Sequence, residues 1–451
     1  MPKLSSMHLL GNSKKNVATN IIILANAFVW YSYAFSFLTA TIIEAGLSND
    51  IVQILGVHFL GIFLSVIAGE LVSRRTNRRI PFILYWMLAG VLLSLAPLVI
   101  SYSTLTGIIV LSEIIGVNFG FGLPICLGYF ASSTKVSNRG RLSGITFLIT
   151  GLGAFLISQI TGGEIVTTTL ILAGWKAAGL IALLFLKPKD RQVEQIKAPS
   201  YRRVFWNRAF LLYFIPWLMF LLVNSLTFPV NENHFSKEFV RLSSNIEFVL
   251  GGISAVIFGF LADTMGRKRL AVIGFALLGL AHAVLGFTSG SIIGWWFYTA
   301  IDGIAWGSFT MLFLFTLWGD LADNKGIERF YAVGIMPYLL SSFLRFSMGS
   351  YMANAIVDYA MIFSYAAFFL FLAILPLIYA PETLPEKTMK DRELKNYIEK
   401  AKRKVEQSLE NEDERNEEKE CRNDEAEPEG LEFEVIQEDM EKAEELAEEY
   451  Y

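Results

Sequence analysis

Two carboxylates lie inside long apolar stretches of this sequence, where an ionised side chain is energetically costly. Glu113 stands in the stretch LSEIIGVNFG and Asp302 in the stretch TAIDGIAWG. Acids in such surroundings normally face an internal cavity or a charged partner, and they act as proton carriers or substrate ligands. The sequence therefore predicts substrate-binding or proton-coupling roles for both. The alternative is a structural pairing with Arg345 or Lys176, two basic residues of other apolar stretches.

Arg345 is the most prominent cation of the apolar regions, in the middle of SSFLRFSMG. It has two interpretations, which the sequence leaves open. Either it neutralises Asp302, or it binds an anionic group of a substrate. His58 and His282 are single histidines in apolar stretches, and we interpret them as packing residues rather than proton relays.

Polar and aromatic residues at helical spacing extend the candidate site. Positions four and seven or eight residues apart share one side of a helix, so each set predicts a lining face. The residues are Asn26, Trp30 and Tyr33 in one stretch, Tyr298, Asp302 and Trp306 in a second, and Asn118, Trp217 and Asn224 in two others. Aromatic walls with a few polar groups suit organic solutes. The alternative is that the aromatic residues are interface anchors or packing residues.

The elements that must position these residues are membrane helices. The chain has 451 residues, of which 53% are hydrophobic, and its mean hydropathy is +0.46. Its apolar stretches are about 20 residues long, the length that spans a bilayer. The predicted spans are 17–42, 50–72, 80–101, 104–132, 143–162, 165–186, 209–230, 243–262, 270–288, 291–318, 331–354 and 358–379. The sequence therefore predicts an all-α membrane protein with about twelve transmembrane helices.

The loops between these spans repeat. GFLADTMGRKRL at 259–270 lies 190 positions after its weaker copy GELVSRRTNRRI at 69–80. At the same offset, basic residues and a glycine of a second loop coincide: Lys135, Arg139 and Gly144 with Lys325, Arg329 and Gly334. A constant offset between two halves is typical of a duplicated transporter.

The 259–270 loop resembles the loop signature of the major facilitator superfamily, and the likeness covers residues 17–383. This resemblance implies two pseudo-symmetric six-helix halves around a cavity lined by the first, fourth, seventh and tenth helices. It also implies a gate made by the loop residues Gly259, Asp263, Gly266 and Arg267, with Arg329 as a partner. The alternative is that the basic residues of this loop only follow the positive-inside rule.

The first copy of the loop departs from the signature. Ser73 replaces the aspartate, Thr76 replaces the glycine and Asn77 replaces the first basic residue. Whether Glu70 substitutes for the missing acid is open.

Basic residues predict the orientation of the helices. They cluster in alternate loops, at 74–79, 135–141, 187–203 and 267–269. Loops of this kind face the cytoplasm. We therefore expect a multi-pass protein of the plasma membrane with both termini cytoplasmic. The predicted domains are a cytoplasmic N-terminus at 1–16, a six-helix bundle at 17–186, a cytoplasmic linker at 187–208, a second six-helix bundle at 209–383 and an acidic, partly helical cytoplasmic tail at 384–451.

The charge of the chain is divided between its membrane body and its tail. From Pro381 onward there are 26 acidic and 12 basic residues, so the rest of the chain is net positive and suits contact with anionic lipid headgroups. The tail is either a solubilising extension or a segment for a protein partner or self-association. We prefer the first interpretation because its apolar stripe extends over only about three heptads.

Several functional classes lack their signatures in this sequence. It contains neither the phosphate-binding pattern GxxxxGK[ST] nor HExxH, and its cysteines are only Cys126 and Cys421. We therefore expect no enzymatic activity, no cofactor, no metal site and no nucleic-acid partner. The leading prediction is a secondary active transporter that moves a small organic solute by alternating access, as a proton symport. The alternative is a transporter-like membrane sensor that signals through its C-terminal tail.

Overall fold

The computed structural model describes residues 14–76, 78–160, 164–188, 198–234, 236–323, 325–355, 359–384, 398 and 403. Residues Met1–Thr383 form one compact unit, and Leu384–Tyr451 form a second. The predictions made for the tail, for residues 1–13 and for the linker residues 189–197 fall outside the described residues. Everything below concerns the first unit.

The described residues of this unit are folded as long helices joined by short turns. The helices are α1 Lys14–Glu44, α2 Ile51–Arg75, α3 Arg79–Ser94, α4 Leu105–Ser133, α5 Val136–Ile160, α6 Ile165–Leu186, α7 Tyr201–Phe205, α8 Arg208–His234, α9 Lys237–Met265, α10 Arg267–Thr288, α11 Ile292–Phe309, α12 Leu317–Leu321, α13 Ile327–Gly334, α14 Met336–Ala355, α15 Tyr359–Leu372 and α16 Ile374–Tyr379. The predicted all-α membrane architecture is confirmed.

Eleven helical segments in the described part of the chain are long and apolar enough to cross a membrane. The remaining predicted span, 331–354, is also helical but is divided at Ile335 into α13 and α14. Its serines and Arg345 make it less apolar than the other spans. Pro337 lies in the first turn of α14, where a missing N–H costs nothing.

The 190-residue offset of the loops holds for the helices. Added to the bounds of α2, it gives 241–265, and α9 occupies Lys237–Met265. Added to α1, it gives 204–234, and α8 occupies Arg208–His234. The two halves are therefore structural repeats. The predicted boundaries between the bundles and the linker stay a prediction.

Contacts between the halves are made by α5 against α9 and by α2 against α14. Rings contribute to the second contact, since Phe59 of α2 and Phe343 of α14 lie 6.1 Å apart, centroid to centroid. Phe35 of α1 adds a further contact with α14, 5.5 Å from Phe346. Edge-to-face aromatic pairs of this kind are tolerant of small sliding movements because they have no hydrogen bonds to break.

A π-helical turn, Thr310–Thr316, joins α11 to α12 within one continuous apolar segment, Ile292–Leu321. Nearby groups satisfy the altered backbone: the Thr316 hydroxyl donates to the Met311 carbonyl oxygen at 2.8 Å, and the Tyr331 hydroxyl donates to that of Phe315 at 2.5 Å. π turns inside α-helices are frequent at functional sites. This turn separates Asp302 from Asp320, two acids of the site described next.

Candidate functional site

A cavity of about 270 Å³ lies between α8, α9, α11 and α14, with Phe147 of α5 contributing from the first half. Its charged lining residues are Glu247 on α9, Asp302 on α11 and Arg345 on α14. The cavity extends to Phe239, in the first turn of α9. It therefore reaches the end of the bundle at which α9 begins.

The two carboxylates of the cavity are brought together by a close crossing of α9 and α11. Gly303 packs so tightly on α9 that a Cβ atom there would lie 2.7 Å from the Glu247 carbonyl oxygen. Glu247 consequently interacts electrostatically with both Asp302 and Arg345. Glu247 is not among the site residues predicted from the sequence, since nothing in its spacing shows that it faces Asp302.

Asp302 and Arg345 are in different circumstances. Asp302 is 3% exposed, and its Oδ1 atom has no hydrogen-bond partner among the described residues. The Arg345 guanidinium lies 3.1 Å from the centroid of the Phe228 ring. In this cavity the Arg345 cation is already in contact with an aromatic ring, whereas the Asp302 carboxylate has one acceptor atom without a hydrogen bond from the described residues.

The structure places three further predicted residues on this cavity. Asn224 lines it from α8, and Tyr298 and Trp306 line it one turn on either side of Asp302 on α11. The spacing of four residues thus identified the correct face of α11. Their binding role stays a prediction.

Glu113 does not share the cavity. Its carboxylate packs against the backbone of Gly61 on α2, and the residue lines a separate groove between α3 and α4. Glu113 and Asp302 are not equivalent in the two repeats, because they are one position out of register: the 190-residue offset places Ser112 on Asp302. One position turns a helical side chain through about 100°.

The predicted residues of the first helix also face away from the cavity. Asn26 Nδ2 donates to the Trp175 carbonyl oxygen at 2.7 Å, and Trp30 Nε1 donates to Ser94 Oγ at 2.8 Å. Both are buried among α1, α3 and α6. Their spacing identified a shared face correctly, but it contained no information on which neighbour that face meets.

Asn118 belongs to the same interior of the first half. Its carbonyl oxygen accepts a hydrogen bond from Trp86 Nε1 at 2.6 Å. Nearby, Lys176 Nζ lies 3.8 Å from the Trp86 ring centroid and 4.8 Å from that of Trp30. The lysine is fully buried and is held by aromatic faces. Its predicted pairing with Glu113 or Asp302 is not present.

A set of buried ion pairs closes the opposite end of the bundle from the α9 start; we call this the closed end. Asp263, in the last turn of α9, accepts hydrogen bonds from the backbone N–H groups of Gly140 and Arg141 on α5, each at 3.0 Å. Arg267 Nη2 donates to the same carboxylate at 3.1 Å. Asp263 therefore fastens the start of α5 to the end of α9, and Gly266, at φ +95°, turns the chain from α9 into α10. The gating role of these residues stays a prediction.

Asp320 is the second acid of the closed end. It pairs with Arg139 of α5 and with Arg267, whose Nε lies 3.0 Å from the Asp320 Oδ2 atom. Arg267 thus bridges two carboxylates. Sequence reasoning missed Asp320 and, although it named Arg139 as a repeat of Arg329, assigned Arg139 no role.

In the described structure Arg329 does not pair with Asp263, and its part in the gate stays a prediction. Arg329 pairs with Glu70 of α2 at 3.0 Å, and in parallel Arg79 of α3 pairs with Glu328 at 2.5 Å. Glu70 does supply the acid that its copy of the loop lacks at position 73. It does so one turn earlier on α2, where it faces α13.

The linker contributes to the same ion pair. The Tyr201 hydroxyl of α7 donates to Glu70 Oε2 at 2.8 Å, its ring centroid lies 4.4 Å from the Arg329 guanidinium, and Arg329 Nη1 donates to the Pro199 carbonyl oxygen. Burial, together with the hydrogen bond to Glu70, raises the pKa of Tyr201 well above its ordinary value. The phenol therefore stays a hydrogen-bond donor at physiological pH.

The exit from the last helix completes the closed end. Glu382 accepts hydrogen bonds from the backbone N–H groups of Arg267 and Lys268 at 2.9 and 3.1 Å. A carboxylate at this position satisfies free donors at the start of α10 and is favoured by the helix dipole.

Comparison with known proteins agrees with this architecture. The family model of the Major Facilitator Superfamily matches residues 19–301. No curated protein sequence matches the chain. Among solved structures, a bacterial homologue of the iron transporter ferroportin in the outward-facing state superposes with a TM-score of 0.65 at 15% identity, covering 80% of this chain and 98% of that chain.

Two further structures show the same fold. The E. coli fucose:proton symporter has a TM-score of 0.65 at 10% identity, covering 82% of this chain and all of that chain. The human organic anion transporter MFSD10 has a TM-score of 0.60 at 12% identity, covering 81% and 99%. With the family match extending over more than half of its length, the chain belongs to the major facilitator superfamily.

Proposed function

We propose that this protein is a secondary active transporter that moves a small organic solute across the plasma membrane by alternating access, coupled to protons in the symport direction. The observation that carries the proposal is the paired carboxylate cavity, with Asp302 and Glu247 inside a membrane-embedded bundle whose closed end is sealed by ion pairs.

The closed end provides the alternating step. Its ion pairs join elements of both halves: Glu70 with Arg329, Arg79 with Glu328, and Arg139 with Asp320. Separation of the halves at this end would expose these charges to water, where their desolvation penalty is recovered. Opening at this end, together with closing around Phe239, would then change the side of the membrane from which the cavity is accessible.

The basic loops support an assignment of sides. The closed end carries Arg74, Arg141, Lys268 and Arg269, and such loops face the cytoplasm. On this assignment both termini are cytoplasmic, and the cavity faces outward in the conformation described. The bacterial ferroportin homologue, to which the chain is similar in fold, was solved in its outward-facing state.

Proton coupling rests on the groups around the cavity. Glu247 and Asp302 line the cavity together with Arg345, and Tyr298 lies on the same face of α11 as Asp302. The His282 ring of α10 packs against the Tyr298 ring, with 5.0 Å between the ring centroids. Two carboxylates beside one guanidinium carry one surplus negative charge when both are ionised. A single proton removes that surplus, so loading and release of a proton change the charge of the site.

The test is solute uptake into proteoliposomes with and without an inward-directed proton gradient. Candidate solutes are first selected by their effect on the thermal midpoint of the purified protein. Asp302→Asn and Glu247→Gln should abolish the stimulation by the gradient, whereas Glu113→Gln, whose carboxylate lies outside the cavity, should retain it. Unchanged stimulation in both cavity variants would refute coupling through this site.

Binding of a solute without any uptake would favour the sensor interpretation instead. The tail is the relevant segment, because deletion of 388–451 should leave uptake intact in a transporter and should remove the output of a sensor.

A further inference from the structure

We propose that the solute carries a protonated amine, and that Asp302 binds this ammonium group between the rings of Tyr298 and Trp306. The inference rests on the proposed function and narrows its substrate class.

The first argument is the balance of charges in the cavity. Glu247 and Asp302 supply two acids and Arg345 one base. Glu247 interacts with Arg345, which also lies on the Phe228 ring, so this cation already has partners. When both acids are ionised, the surplus charge of the site is negative, and a positively charged solute complements it.

The second argument is the hydrogen-bonding state of Asp302. This side chain is 97% buried (3% exposed), it lines the cavity, and its Oδ1 atom has no partner among the described residues. Buried acceptors in proteins are almost always satisfied. An ammonium N–H group supplies the missing donor and also the opposite charge, and such charge-assisted bonds are the stronger ones.

The third argument is the placement of aromatic rings. Tyr298 and Trp306 stand one helical turn before and after Asp302 on the same face of α11, and Trp295 lines the cavity near the α11 start. The face of an aromatic ring attracts a cation held within about 6 Å of its centroid. Rings on both sides of a carboxylate therefore form a site in which an organic ammonium is held by its charge and its hydrocarbon part is packed.

An anionic solute would fit this site poorly. Its charge would have to lie beside Asp302 and Glu247, and it would compete with Glu247 for Arg345. A zwitterion would bind Asp302 through its amine but would need the same guanidinium for its acid group. The charge balance therefore favours a simple cation over both.

The experiment uses four probes that share one phenyl ring and differ in charge. They are 2-phenylethylamine, a cation; 2-phenylethanol, its neutral counterpart; phenylalanine, a zwitterion; and 3-phenylpropanoate, an anion. Binding to the purified full-length protein is measured at neutral pH by titration calorimetry, with tryptophan fluorescence as a second readout, because Trp295 and Trp306 line the cavity. We expect the cation to bind about tenfold or more tightly than each of the others.

Variants assign the binding to the site. Asp302→Asn should weaken the cation by about tenfold or more and should leave 2-phenylethanol unaffected, since only the charge is removed. Glu247→Gln gives a second test if Asp302→Asn folds poorly. Glu164→Gln, the same change at an exposed acid before α6, is the matched control and should bind like the unaltered protein.

The possible outcomes separate this inference from the proposed function. Equal or tighter binding of the neutral, zwitterionic or anionic probe would overturn it, as would the absence of cation binding at millimolar concentration. Cation binding that Asp302→Asn leaves unchanged would overturn it too. None of these results bears on uptake, so the transporter proposal would still stand or fall by the gradient experiment.

Discussion

Replacing Asp263 with asparagine removes one negative charge from the closed end with almost no change in side-chain size. The carboxylate accepts backbone hydrogen bonds from Gly140 and Arg141 and a side-chain bond from Arg267. An asparagine retains one carbonyl oxygen and presents an amide NH₂ in place of the other. It therefore keeps one acceptor and places a donor against a backbone N–H group.

The size of the effect follows from these contacts. A hydrogen bond to a charged group contributes about 1.5–3 kcal/mol. Loss of one partner of a buried ion pair costs more where the other charge is abandoned, but Arg267 keeps Asp320 at 3.0 Å. We therefore expect the closed end to lose about 2–3 kcal/mol relative to the open arrangement, a change of roughly 30- to 150-fold in the ratio of the two states.

The assay is a distance distribution between spin labels on the two halves. Arg75 and Lys325 are both exposed at the closed end, one in each half, and each can be replaced by a labelled cysteine. Of the native cysteines, Cys126 is fully buried and can remain, while Cys421 is changed to serine. Asp263→Asn should add or enlarge a population at longer distance in double electron–electron resonance.

Asp323→Asn is the control. It removes the same charge at the same end, but Asp323 is exposed and its φ of +44° is one that asparagine tolerates. An Asp263→Asn distribution that superposes on that of the unaltered protein would refute the reasoning. An equal shift in the control would show that the total charge of the end matters, and not this contact.

Three further predictions concern parts of the same structure. Gly307→Val should destabilise the fold by about 1–3 kcal/mol through overpacking, because a Cβ atom there meets the α9 backbone, and its thermal midpoint should fall. Gly174→Ala, where an added Cβ has no atom within 4 Å, is the control and should be neutral or stabilising. Equal midpoints of the two variants would contradict the close crossing of α9 and α11. Tyr201→Phe removes the hydrogen bond to Glu70 and should shift the label distances towards opening by about 1 kcal/mol, roughly fivefold; no shift would mean that the linker does not hold the gate. Lys176→Met should fold with an equal or higher thermal midpoint, because replacing a buried charge with an apolar chain of similar size is often neutral or stabilising; a marked drop would show that the two tryptophan rings stabilise the lysine as a cation.

The sequence was most informative where its signal was local or repeated. Apolar stretches located the membrane helices, and the 190-residue offset gave the pairing of the halves. Asp302, Tyr298 and Trp306 were placed on one face because four residues are about one helical turn. Helix ends were less accurate: α5 begins at Val136 and α9 at Lys237, earlier than the apolar stretches, since the helices continue into the polar zone.

What could not be predicted depends on which helices meet. Asn26 and Trp30 share a face, but only the packing of α1 shows that this face meets α3 and α6. Glu247 acquires its importance from the crossing of α9 with α11. Tyr201 is remote in sequence from both Glu70 and Arg329, and no spacing rule connects residues of a linker with the ends of two other helices.

The π turn at Thr310–Thr316 has a mechanical consequence. A π turn holds one residue more than the α-helical turn it replaces, so α12 is rotated by about 100° about the helix axis relative to an uninterrupted α-helix. The same polypeptide rod holds the cavity acid Asp302 above the turn and the closed-end acid Asp320 below it. Rewinding these residues as an α-helix would swing Asp320 away from Arg139 and Arg267 without moving Asp302. A chain shortened by a single residue in this turn would lose the extra residue instead: its uninterrupted α-helix would keep Asp320 in the present phase, facing Arg139 and Arg267, and would have no π turn left to rewind.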